Sequence, residues 1–187
     1  MIAYPRTKIY LPQNSWKKFF EFSSKKRDID YLKKFEKRFK KFIGVKHVLF
    51  TGSGRTSLFL VLLALNIKNG EVLLSSYNSP IVANLLKYLK LKPRFVDVKK
   101  TTFNISPNEL KKKINKKVKA VILTHIEGNP CDMEEILEIT EKLGIPVIED
   151  CAHACGASFK GRRVGSFGAA GIFSFGKGKH INSLNGG

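Results

Sequence analysis

The run from Val118 to Thr124 constrains this chain most, because Val121, Ile122 and Leu123 follow one another with no polar residue between them. Strand side chains alternate between two faces, so a strand with one wet face alternates in polarity. A run that does not alternate needs apolar cover on both faces, as in a parallel sheet with helices above and below it. The flanking sequence offers those helices. Ser79-Pro80 and Ser106-Pro107-Asn108-Glu109 each place a capping serine before a proline at the first helical position, and the second adds a capping-box glutamate. Asp132 stands as a cap before Met133-Glu134-Glu135, and Gly144 closes that helix. Further short apolar runs, Glu71 to Ser76, Arg94 to Val98, Ile145 to Ile148 and Ala170 to Phe175, read as strands. Upstream, Asp28 caps a helix with Tyr31, Leu32, Phe35, Phe39, Phe42 and Ile43 on one face. Gly44 ends it, and His47 to Thr51 reads as another strand. This order predicts an α/β fold, a mostly parallel sheet with flanking helices. Residues 1–27 have no period, and Tyr4-Pro5 and Leu11-Pro12 predict an extended arm, leaving 28–187 as one domain.

Composition narrows the function classes. The chain has 187 residues, 43% of them hydrophobic, enough for a real core and too many for a disordered tail. No run approaches the ~18 apolar residues of a membrane helix. The N-terminus lacks a basic, apolar and small-residue cleavage pattern, and three cysteines at irregular spacing suit a reducing compartment, so a cytoplasmic location is expected. The net charge of +19 lies largely in two lysine tracts, 17–46 and 92–119. Those lysines alternate with apolar residues at helical spacing, without a stacking aromatic platform. They read as solvated helix faces that help attract a small anionic substrate, with no nucleic-acid and no membrane partner.

In parallel sheets ligands sit beyond the carboxyl ends of the strands. Several chemical groups fall at such ends. Gly52-Ser53-Gly54-Arg55-Thr56-Ser57 followed by Leu58 to Leu65 reads as strand, glycine turn and helix, whose first amides attract phosphate. It matches neither a Walker loop nor G-x-G-x-x-G. Glu149 and Asp150 close one strand on opposite faces, so one carboxylate alone can face a ligand. Ser174 lies between Phe173 and Phe175, and Lys179 follows in a glycine-rich turn, 29 positions after Asp150. A lysine held at such an edge is a candidate imine-forming amine. Cys151-x-His153-x-Cys155 lacks a fourth ligand at usable spacing, so no metal is expected.

Other pieces keep order with these: Gly44-Val45-Lys46-His47, Thr124-His125, Gly128-Asn129-Pro130-Cys131-Asp132-Met133, Pro146-Val147-Ile148-Glu149-Asp150-Cys151-Ala152-His153, Gly156-Ala157, Lys160-Gly161 and Val164-Gly165-Ser166-Phe167-Gly168. As a set, residues 31–187 resemble the first half of the PLP-dependent nucleotide-sugar aminotransferases, the DegT/DnrJ/StrS family of fold type I. The resemblance implies pyridoxal 5'-phosphate bonded to Lys179, with Asp150 at its pyridine nitrogen. It places His153 at the phenolic oxygen, and Ser174 with the amides of Gly54 and Arg55 at the phosphate. It also implies transfer of an amino group from glutamate or glutamine to a keto-sugar nucleotide. Burial and nearby cations, Lys177 among them, would lower the lysine's pKa.

The sequence departs from the family pattern at Arg55, where threonine is usual, and at His153, where glutamine is usual. Ser79 stands where an aromatic stacks on the cofactor, with Tyr77 the nearest substitute. Lys179 is present where the family's sugar 3-dehydratases carry histidine, which favours transamination. The small C-terminal domain of such enzymes is absent, and Gly186-Gly187 would open an antiparallel strand beside His47 to Thr51. The expected partners are a second copy of the chain or a companion C-terminal half. The alternative is a non-catalytic remnant or assembly subunit of the same family.

Overall fold

The structure, a computed structural model of the chain, describes residues 29–183 and 185–187 together with Lys17. Of the expected arm only Lys17 is described, and it is helical; the Asp28 cap lies outside the described residues. The elements are α1 (Ile29–Ile43), α2 (Gly54–Ala64), β1 (Glu71–Ser75), α3 (Pro80–Tyr88), β2 (Lys92–Val96), α4 (Pro107–Lys113) and β3 (Val118–Thr124). A 3-10 turn (Ile126–Gly128) leads to α5 (Met133–Glu141), β4 (Val147–Asp150), the short pair β5 (Ser158–Phe159) and β6 (Arg162–Arg163), and β7 (Ala170–Ile172).

Five strands form one sheet in the order β2-β1-β3-β4-β7, every pair parallel. β3 takes the centre, as its unbroken apolar run requires. Alternate residues feed two layers. Val72, Leu74, Ala120, Ile122 and Ile148 pack with Leu58, Leu62, Val82 and Leu86 of α2 and α3. Leu73, Val121, Leu123 and Val147 pack with Leu110, Met133 and Ile136 of α4 and α5. Each fully buried aliphatic side chain of these layers contributes ~1.5–3 kcal/mol. A third cluster joins Phe39 and Ile43 of α1 to Cys151, Val164, Phe173 and Phe175.

The serine caps form as expected: Ser79 accepts from the Ile81 amide and Ser106 from the Glu109 amide, both at 3.4 Å. Other local expectations are corrected. The Glu109 carboxylate closes no box; it takes Lys112 at 2.6 Å, while the Ser106 amide donates to the Asp97 carbonyl. Asp132 makes no cap bond, because Lys99 holds its carboxylate at 2.5 Å. The second strand runs 92–96 rather than 94–98, in the register set by β1. A hairpin not expected from the sequence joins β5 and β6 through Lys160 and Gly161, both at positive φ, as a two-residue turn of matching twist requires. On the expected face of α1, Phe39 and Ile43 are buried while Tyr31, Leu32 and Phe42 are exposed.

Residues 47–51 form no strand. A strand needs a partner ladder, and among the described residues only Gly187 pairs here, exchanging both backbone bonds with Thr51 (2.8 and 3.1 Å) in the manner of a close antiparallel pair. Ser53 and Gly186 add one isolated parallel bridge. Between β7 and residues 45–51 lies a trough of about 700 Å3, walled by Phe35, Phe39, Phe50, Phe173 and Phe175. No described helix is long and apolar enough to cross a membrane.

Candidate functional site

Because the strands are parallel, their carboxyl ends gather on one side, and the start of α2 and the turn after β7 reach the same place. There a second cavity, of about 590 Å3, is lined by Gly54, Arg55, Asp150, His153, Ser174 and Lys179. All six residues singled out in the sequence therefore line one cavity.

Asp150 ends β4, opposite Thr124 in the β3 register, and is 5% exposed. Burial pushes its carboxyl above the ordinary carboxylate value. The Ala152 amide, which donates to it at 3.0 Å, and the charges of His153 and Lys179 oppose that rise.

Glu149 leaves the strand on the other face and is fully buried. Its oxygens accept the amides of Gly165 (2.7 Å), Phe167 (2.6 Å) and Gly168 (2.8 Å) and face His125 Nε2 at 3.2 Å. Burial alone would raise this carboxyl; His125 and the Gly168 and Gly165 amides outweigh it and hold it below the ordinary value. The Cys131 amide donates to His125 Nδ1 at 3.0 Å, so Nδ1 is bare and Nε2 carries the hydrogen toward Glu149. Glu149 thus ties the 165–168 turn, and with it β7, to the end of β4. The expectation that only one carboxylate faces the ligand side holds, but nothing local in the sequence names the amides that claim the other.

The Cys151-x-His153-x-Cys155 spacing assembles no ligand set. Among the described residues, one His/Cys/Asp/Glu trio has its ligand atoms within 4.8 Å of one another: His125, Glu149 and Cys151. Both ring nitrogens of His125 and both oxygens of Glu149 there already carry hydrogen bonds. All three cysteines are free thiols.

At the other end of the cavity α2 begins. Ser53, extended at φ −170, caps it by accepting the Thr56 amide at 3.1 Å. The amides of Gly54 and Arg55 come first in the helix and stand outside its ladder. A Cβ on Gly54 would lie 2.9 Å from the Phe173 carbonyl oxygen and 3.1 Å from Ser174 Cβ. Only glycine lets the helix start close on the segment after β7, which brings Ser174 beside it. The first turn carries no acid, and Arg55 also lines the cavity, so the corner suits a phosphate dianion.

Lys179 is half-buried. Burial lowers its pKa below the ordinary lysine value, against the raising influence of Asp150 and Glu127. Lys177 is exposed and does not line the cavity, so of the two expected causes burial acts and the neighbouring cation does not. Glu127 was not foreseen. It sits in a left-handed conformation (φ 49) in the 3-10 turn, a costly one for a residue with a side chain. Its carboxylate is 3.8 Å from His153 Nδ1, too long for a hydrogen bond, and that nitrogen is buried without a partner. Ser79 spends its hydroxyl on the α3 cap. Tyr77 reaches the cavity wall, its ring 5.4 Å from that of Phe103.

Residues 23–187 match the model of the DegT/DnrJ/EryC1/StrS aminotransferase family. An uncharacterised protein of Methanocaldococcus jannaschii is 41% identical over 155 residues, 82% of this chain and 40% of that one. The GDP-perosamine synthase of Escherichia coli O157:H7 is 38% identical over 159 residues, 84% of this chain and 44% of that one. Among solved structures, the E. coli GDP-4-keto-6-deoxy-D-mannose-3-dehydratase with bound hydrated PLP superposes with a TM-score of 0.90 at 27% identity, covering 100% of this chain and 50% of that one. The chain thus spans about half the length, or less, of the proteins it matches.

Proposed function

The chain belongs to the DegT/DnrJ/EryC1/StrS aminotransferase family, and on that premise we propose that it is the cofactor-binding part of a pyridoxal phosphate-dependent enzyme. The reaction is amino transfer from glutamate or glutamine to a keto-sugar nucleotide, in the making of surface polysaccharides or amino sugars. The observation that carries the reading is the common cavity of Lys179, Asp150, Ser174 and the α2 amides, which offers an amine, an acid and an anion site to one flat ligand.

The residues fit that ligand. The buried, partnerless Nδ1 of His153 gives a phenolic oxygen something to meet, and the close approach of Gly54 to Ser174 puts the start of α2 and that serine at one corner of the cavity for a phosphate. When bound, the cofactor supplies an electron sink that stabilises negative charge on a substrate carbon. Lys179, with its lowered pKa, would hold the cofactor through its aldehyde and would carry the proton that moves at the reacting carbon. Asp150 would keep a proton on the ring nitrogen. Ser174, Gly54 and Arg55 would hold the phosphate, and Tyr77 would border the ring. Lys179 itself favours transamination over dehydration.

The enzyme works in the cytoplasm as a homodimer, or in complex with a companion C-terminal half that supplies the donor and sugar contacts. Incubating the full chain with pyridoxal phosphate, then reducing with borohydride, is expected to leave the cofactor's mass on the peptide containing Lys179. Lys179→Ala should lose that adduct and the accompanying visible absorbance. Label spread over surface lysines, with none favoured at Lys179, would sink the reading. Ser79, which cannot stack on a ring, favours a second reading as a non-catalytic family member. That reading predicts the adduct without turnover when a companion half is added.

A further inference from the structure

The amide of Asn78 is oriented by its neighbours. The Ser79 amide donates to Asn78 Oδ1 at 2.6 Å. A backbone N–H can only donate, so the side-chain oxygen must lie there and the NH2 group must point the other way. It points at Thr124 Oγ1, 2.9 Å away. That NH2 is itself only a donor, so the threonine oxygen accepts from it and keeps its own hydrogen for another acceptor. Asp150 Oδ2 is that acceptor, at 3.5 Å, across the β3–β4 register pair. The separation is long for a hydroxyl–carboxylate bond, as catalytic contacts often are before a ligand tightens them. The other oxygen, Oδ1, takes the Ala152 amide. The loop bearing Asn78 is held in turn, since the Ser75 hydroxyl bonds both the amide and the carbonyl of Tyr77. Asn78 and Thr124 both line the cavity.

We propose that Asn78 and Thr124 are positioning residues, a two-step hydrogen-bond relay that orients the Asp150 carboxylate and keeps it the acceptor a ring nitrogen requires. The relay rests on the reading of Asp150 as the cofactor's acid partner. It also ties the loop after β1, which carries Tyr77, to the acid at the end of β4, so the wall of the cavity and its acid move together. Lys179 faces Asp150 from the turn after β7, His153 from the loop after β4 and His125 from the end of β3, with Cys151 and Glu149 adjacent in sequence. None of these replaces a donor to Oδ2, so removing the Thr124 hydroxyl leaves that oxygen buried without one.

The test is a carboxyl-carbon NMR titration of Asp150 in the full chain without cofactor, the resonance being identified by its loss in Asp150→Asn. Thr124→Val, which keeps the shape and drops the hydroxyl, is expected to raise the Asp150 midpoint by about one pH unit. Asn78→Ala should raise it by less, and Thr124→Ser should restore it. If Thr124→Val does not fold, Asn78→Ala against wild type decides. A midpoint unchanged in the folded variants overturns the relay. In a second arm, pyridoxal phosphate affinity is measured against pH. Thr124→Val should bind several-fold more weakly at low pH and approach wild type as pH rises, whereas merely damaged packing would weaken binding equally throughout. Midpoint shifts in the variants together with a wild-type chain that binds no cofactor leave the relay standing and remove the functional reading. Cofactor binding by wild type with no midpoint shift in Thr124→Val removes the relay alone.

Discussion

Glu149 and Asp150 leave β4 on opposite faces, and their carboxyls are driven in opposite directions. Glu149 meets three amides and a histidine N–H, so its charge is compensated; Asp150 meets one amide, a distant hydroxyl and an open cavity. An acid whose folded pKa lies above its unfolded value favours folding when protonated. That stability is present below the unfolded pKa and is lost as pH rises through the folded one. Asp150 therefore costs the cofactor-free chain stability at neutral pH, a price set by function. Asp150→Asn is expected to raise the neutral-pH melting temperature by about 2–4 °C, equivalent to about 1 kcal/mol, while abolishing the cofactor adduct at Lys179. Thermal melts of the two cofactor-free chains check it; a lower melting temperature in the variant would show that the charge is better compensated than the geometry allows.

At the scale of elements, a side chain reinforces the backbone ladder that joins the edge strand β7 to β4. β7 has only three residues, and the turn leading into it hangs on the Glu149 carboxylate. An amide in that place can accept but carries no charge and adds two hydrogens with no acceptor. Glu149→Gln is expected to cost about 3 kcal/mol near neutral pH. Glu149 has a depressed pKa, so its contribution is present above the unfolded carboxyl value and is lost as pH falls through the folded one. The gap between wild type and variant should therefore narrow below about pH 4. Denaturant titrations at neutral and acid pH measure both, and a gap that does not narrow on acidification would locate the effect in packing rather than charge. The same element carries the site: Ser174 and Lys179 follow β7, so loosening the 165–168 turn displaces them as well.

For the whole molecule, the net charge of +19 is a standing repulsion among exposed lysines, and few acids are present to answer it. Exposed charges more than ~10 Å apart are screened at about 0.1 M salt. Raising sodium chloride from low to moderate concentration is expected to raise the melting temperature by a few degrees, a change read by calorimetry. Pairs such as Lys142–Glu138 and Lys160–Glu134 are too exposed to reverse that sign. No rise with salt would mean that the repulsion is already relieved by pairing.

The layered α/β plan was readable from local pattern. The unbroken run of β3, the serine–proline caps of α3 and α4, and the strand-end positions of Asp150, Ser174 and Lys179 each announce themselves within a few residues, because burial on two faces and helix capping are short-range demands. Family likeness then assigned roles to six residues that fold to one cavity. The rest depended on partners remote in sequence. His47 to Thr51 has strand composition, but among the described residues only Gly187 pairs with it. Asp132 has a capping side chain, but Lys99 takes it. The β5–β6 turn puts a lysine at positive φ, which composition does not disclose. Glu149, Glu127 and the Asn78–Thr124 pair acquire meaning only when β1, β3 and β4 lie side by side. A strand's own residues determine that both its faces are covered; which donor meets which acceptor across the sheet is decided by register, and register exists only once the chain has folded.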